Sequence, residues 1–141
     1  MNIDLVAEPD EALRRAIAAP LLAFNAALAG PSGHRPLALV VRGADGGVYG
    51  GLWGATAYGW LYTQMLVVPE PARGRGLGRG LGRDLMLAAE AEARRRGCTH
   101  AWVDTQFGAR AFYERLGYTV FGSLPDYPPG FCRSFLQKAL V

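Results

Sequence analysis

The chain has 141 residues, half of them hydrophobic, enough for one domain (1–141) with a core of its own. Fifteen basic and twelve acidic residues give a net charge of +3, and Lys138 is the only lysine. This mild, arginine-borne excess suits a polyanionic small molecule better than a general nucleic-acid surface, and neither a nucleic-acid nor a membrane partner is expected. No apolar run near about 18 residues and no leader pattern stand out, so a cytoplasmic protein is expected. Cys98 and Cys132 form no metal spacing and read as reduced residues, and His34 and His100 are isolated, so no metal is expected.

Asn2 to Ala7 places Ile3, Leu5 and Ala7 on one face and reads as a short edge strand. Asp10 is a plausible N-cap, after which Leu13, Ile17, Leu21 or Leu22, and Leu28 recur at roughly helical spacing. Pro20 should kink or split that helix. Gly30 to Pro36 reads as a loop. Leu37 to Arg42 is an apolar strand, with Asp45-Gly46 at the centre of the hairpin turn that follows. Val48 to Ala57 returns, thinned by Gly50, Gly51 and Gly54, where a bulge or a close neighbour is expected. Tyr58-Gly59 turns into a third strand, Trp60 to Val68. A helix from about Leu81 to Arg96, ended by Gly97, precedes a strand at His100 to Asp104. Gln106 to Leu116 reads as a second helix, stopped by Gly117. Tyr118 to Ser123 and Arg133 to Leu140 are the last strands. This order gives an α/β fold whose mixed sheet of six to seven strands carries helices on both faces.

The stretch between Val68 and Leu81 carries the chemistry. An apolar strand feeds a Pro-containing turn, then a loop rich in glycine and arginine, then a helix. Such a layout aims backbone N–H groups and the positive helix end at an anion. Arg73, Arg75, Arg79 and Arg83 lie there with no acid between Glu70 and Asp84, which favours a diphosphate. A Walker loop is excluded, because no Gly-Lys-Ser/Thr ending exists. The dinucleotide pattern G-x-G-x-x-G also fails, since its third glycine would fall on Leu81 or Arg83.

What is present is Arg-x-x-Gly-x-Gly at Arg73, Gly76 and Gly78. Downstream, Ala109, Phe112, Tyr113, Glu114, Leu116, Gly117 and Tyr118 form A-x-x-F-Y-E-x-L-G-Y. The pair of motifs, in this order and at this distance, resembles the GNAT-family N-acetyltransferases, and the likeness runs from about Leu37 to Leu140. Gly50-Gly51 and the loop Asp126-Tyr127-Pro128-Pro129-Gly130 are like those of small bacterial-type members. The resemblance implies acetyl-CoA as cosubstrate and an amine-bearing acceptor, with a homodimer left open. It implies that Arg73, Gly74, Arg75, Gly76, Leu77 and Gly78 hold the pyrophosphate. The backbone of Leu66, Val67 and Val68 would pair with the pantetheine arm, with an N–H near Val68 polarising the thioester. Tyr113 would protonate the departing thiolate, and Gln106 stands where the family has an asparagine that contacts the cofactor.

One feature departs from the family. Arg75-Gly76-Leu77-Gly78 is repeated at once as Arg79-Gly80-Leu81-Gly82. Either Arg73 to Gly78 binds phosphate and the helix gains a turn, or the loop is longer and Gly78 to Gly82 binds. We favour the first, although Gly78, Gly80 and Gly82 would each cost a helix about 0.8–1 kcal/mol.

No Cys or Ser stands ready as a nucleophile beside a His, so direct attack in a ternary complex is expected. The general base is left unassigned among Glu70, Asp104, Tyr62 and Gln64, while Trp53, Trp60 and Trp102 read as core or cleft wall. Two other functions share parts of this pattern. A catalytically silent acyl-CoA sensor would keep the loop and lack the base. An RNA-binding Arg-Gly tract would want interleaved aromatics, which are missing here.

Overall fold

The structure, a computed structural model, describes residues 1–69 and 80–141. The expected phosphate loop, Arg73 to Gly78, therefore lies outside the described residues. The chain divides into two compact units, 1–32 and 33–141.

The first unit is built on helix α1 (Glu11–Ala29). Asp10 caps it as expected, its Oδ1 accepting the Leu13 N–H at 2.8 Å. Pro20 lies inside the helix without splitting it. No residue of α1 is buried, so water can serve the Ala16 carbonyl that proline leaves without a donor. Residues 2–7 form no strand, contrary to expectation, and Ile3 and Leu5 are exposed. An alternation this short has too little apolar surface to offset its ordering. By length and composition α1 is also apolar enough to cross a membrane, a property masked in the sequence by Glu11, Arg14 and Arg15.

The second unit holds β1 (Arg35–Arg42), β2 (Val48–Ala57), β3 (Trp60–Val67), α2 (Leu81–Arg95), β4 (His100–Thr105), α3 (Arg110–Arg115), β5 (Thr119–Leu124) and β6 (Arg133–Ala139). They form a six-stranded mixed sheet in the order β1-β2-β3-β4-β6-β5. Among the described strands only β3 and β4 run parallel. The β1–β2 turn is the expected one: Gly46 sits at φ 79°, and Asp45 Oδ1 accepts the Gly47 N–H at 2.9 Å. Tyr58 and Gly59 are both at positive φ, the geometry of a tight hairpin turn. The β2 glycines are there for close approach. A Cβ on Gly51 would lie 2.0 Å from the Leu39 carbonyl oxygen, and one on Gly54 would lie 2.3 Å from that of Tyr62. A bulge opposite Trp53 and Gly54 leaves Gln64 out of the β2–β3 register.

Helix α2 buries Gly82, Leu85, Met86, Ala89, Glu90 and Ala93, one face at helical spacing. Leu61, Val103 and Leu136 belong to the same core, as do Tyr113 and Tyr118. One buried group is a carboxylate. Glu90 Oε2 accepts the Tyr118 hydroxyl at 3.0 Å, and Glu90 Oε1 accepts Lys138 Nζ at 2.7 Å.

One helix start agrees with expectation and one differs. Helix α2 begins at Leu81, as expected, behind Gly80, which is left-handed at φ 84°. Helix α3 begins at Arg110 rather than Gln106, since Gly108 at φ 81° interrupts the chain before it.

Candidate active site

Strands β3 and β4 lie side by side from Trp60↔His100 to Thr63↔Val103, and there the register ends. β3 continues to Val67 and stays paired with β2, while β4 continues to Thr105 paired with β6. The two strands thus part at a fork in mid-sheet. Pleating sorts the residues around it. Leu61, Thr63 and Val103 are buried toward α2, while Trp60, Tyr62, Trp102 and Asp104 take the opposite face.

On the α2 face the fork is bordered by Thr63, whose hydroxyl oxygen is buried with no hydrogen-bond partner among the described residues. Tyr113 comes from α3 on this side. It is buried, with its ring edge-on to Phe112 at 5.0 Å and to Tyr118 at 5.9 Å. Burial raises its phenol above the ordinary tyrosine value, and the nearby Asp104 carboxylate raises it further. Its proton is therefore held through the neutral range. Helix α2 starts close by, where a Cβ on Gly82 would meet Phe112 and Val68 at 3.3 Å.

On the opposite face Tyr62 donates its hydroxyl to Asp104 Oδ2 at 3.1 Å. Arg133, the first residue of β6, donates Nη2 to Asp104 Oδ1 at 2.6 Å. The Tyr62 ring stacks on Trp102 at 4.0 Å, and the Arg133 guanidinium lies over the Tyr127 ring at 4.6 Å. Desolvation, then the Asp104 charge, raises the Tyr62 phenol.

Of the residues expected at the site, Leu66 and Val67 lie on the separated end of β3, with Val68 just beyond it. Tyr113 stands beside the fork. Gln106 is half-buried in the β4–α3 connection instead of starting a helix. Arg73 to Gly78 are outside the described residues. Arg133 was missed. It follows a turn-rich loop like any strand-starting arginine, and only the β4–β6 pairing brings it to Asp104. Cys98 is buried and burial raises its thiol, which leaves it a poor nucleophile.

The family model for the acetyltransferase (GNAT) domain matches residues 36–120. The chain belongs to the GNAT acetyltransferase family. It is 43% identical over 139 residues to the acetyltransferase Atu2258 of Agrobacterium fabrum, covering 98% of each chain. It is 42% identical over 111 residues to the blasticidin-S acetyltransferase of Streptomyces morookaense, covering 75% of this chain and 79% of that one. A crystal structure from Agrobacterium tumefaciens, assigned as an acetyltransferase, superposes with a TM-score of 0.90 at 43% identity over 99% of both chains. The protein is thus a GNAT-type acetyltransferase, with the forked sheet as its candidate catalytic centre.

Proposed function

We propose that this GNAT acetyltransferase moves the acetyl group of acetyl-CoA onto an amine by direct attack in a ternary complex. The observation that carries the reading is the fork. Among the described residues, the β4-facing edge of β3 from Gln64 to Val67 has no strand beside it, and the Thr63 hydroxyl at its base has no hydrogen-bond partner. A thioester arm bearing amide groups fits an edge of this kind as an added strand would. Leu66, Val67 and Val68 would present backbone groups to that arm. Arg73, Gly74, Arg75, Gly76, Leu77 and Gly78 would hold the pyrophosphate ahead of the α2 N-terminus. Gln106 would contact the cofactor through its amide. Bound there, acetyl-CoA supplies an electrophilic carbonyl and a thiolate leaving group.

The residues then divide the work. Tyr113, protonated by virtue of its burial, gives its proton to the sulfur as the C–S bond breaks. The amine nitrogen forms the new C–N bond and releases its extra proton to water.

The likeness to a blasticidin-S acetyltransferase makes blasticidin S the first acceptor to assay, followed by a panel of primary amines. Amine-dependent release of CoA thiol is the expected result. Acetyl-CoA binding without turnover on any member of the panel would instead favour an acyl-CoA sensor.

A further inference from the structure

We propose that Tyr62 receives the acceptor amine at the fork, and that Asp104 and Arg133 act through it as positioning residues. This rests on the amine-acetylation reading above.

The sheet register gives the location. Tyr62 is paired with Trp102, yet its hydroxyl reaches Asp104, one residue past the last β3–β4 pair. The oxygen therefore stands at the mouth of the fork, on the face opposite Thr63 and Tyr113. A nucleophile held there would approach from one side of the sheet while the leaving sulfur meets Tyr113 on the other.

Hydrogen-bond polarity sets the role. The Tyr62 proton is committed to Asp104 Oδ2, so the phenol oxygen keeps lone pairs for an incoming N–H. Asp104 has both oxygens engaged, Oδ1 by Arg133 and Oδ2 by Tyr62. A carboxylate held by a guanidinium on one side and a phenol on the other is fixed in place and serves as an anchor. Stacking on Trp102 at 4.0 Å and 14° keeps the Tyr62 ring from turning away. Such fixing by neighbours is what a group that orients a substrate needs. Tyr62 forms and breaks no covalent bond. The amine nitrogen adds to the carbonyl carbon, the C–S pair leaves with sulfur, and the ammonium proton goes to water.

The test is a double-mutant cycle with steady-state thiol release, using the panel amine that wild-type enzyme acetylates best. Tyr62→Phe keeps the stacked ring and should raise KM for the amine about tenfold, the scale of one hydrogen bond lost. The acetyl-CoA Kd, measured without amine, should stay within about twofold. Asp104→Asn should also raise the amine KM. For the amine KM, Tyr62→Phe/Asp104→Asn should be no worse than Tyr62→Phe alone, because Asp104 acts on the amine only through that hydroxyl. An unchanged amine KM in Tyr62→Phe overturns the proposal. So do effects that multiply in the double variant, the mark of a separate structural role for Asp104. If wild-type enzyme binds acetyl-CoA but acetylates no amine, it is the underlying reading that has failed, and the inference falls with it.

Discussion

Two clusters in the second unit have the same composition and opposite settings. Around Glu90 a carboxylate accepts from the Tyr118 phenol and from a cation, Lys138, which also lies 5.6 Å from the Tyr118 ring. Around Asp104 a carboxylate accepts from the Tyr62 phenol and from a cation, Arg133, which lies over the Tyr127 ring. Glu90 is fully buried between α2 and β6, and its cluster includes Arg94 at 4.0 Å. Asp104 and Tyr62 are only part-buried, at the point where two strands separate. A carboxylate buried as completely as Glu90 holds elements together, and removing the cation beside it is costly. At the fork the same chemistry leaves a phenol oxygen free to meet a substrate. Environment, rather than residue type, separates scaffold from site.

The comparison breaks most visibly at the cations. Lys138→Met should cost about 3–5 kcal/mol in denaturant unfolding, since the fully buried Glu90 carboxylate would lose its nearest cation, with Arg94 left at 4.0 Å. Arg133→Met should cost less, because the Asp104 side chain keeps 11% of its exposure whereas that of Glu90 keeps none. Equal losses would mean that both clusters are structural.

Between the clusters stands Tyr113, whose ring meets Tyr118 and whose phenol feels Asp104. Tyr113→Phe should lower kcat about 100-fold, with the acetyl-CoA Kd nearly unchanged. Full turnover with chemistry rate-limiting would return Tyr113 to the core.

The two remaining phenols sharpen the contrast at smaller scale. Tyr118→Phe should lose about 1–3 kcal/mol of stability and leave the amine KM unchanged. Tyr62→Phe should do the reverse. Thermal unfolding and amine kinetics on both variants decide it.

The smallest effect is alkaline. Burial first, then Glu90, raises the Tyr118 phenol, so the folded protein keeps a proton that the unfolded chain loses near pH 10. This contribution is complete below about pH 10 and fades as pH rises above it, by at most about 1.4 kcal/mol per pH unit. Tyr62 and Tyr113 add in the same direction. Tyr118→Phe should therefore flatten the loss of stability between about pH 10 and 11.5, and an unchanged slope would deny the buried Glu90–Tyr118 contact its part in it.

Much of this protein was legible along the chain because much of it is local. The Asp10 cap, the Asp45-Gly46 and Tyr58-Gly59 turns, the β2 glycines and the apolar face of α2 each depend on residues a few positions apart. The two motifs around the α2 start and Tyr113 carried the family for the same reason. Local pattern failed where a neighbour was required. Ile3 and Leu5 alternate like a strand but find none beside them, and Gly108 outweighed the helical look of Gln106. The fork, the Arg133–Asp104 pair and the Lys138–Glu90 pair were decided only by the tertiary structure. The pairs join residues 29 and 48 positions apart. They exist because β6 inserts beside β4, a packing choice that no short window of sequence contains.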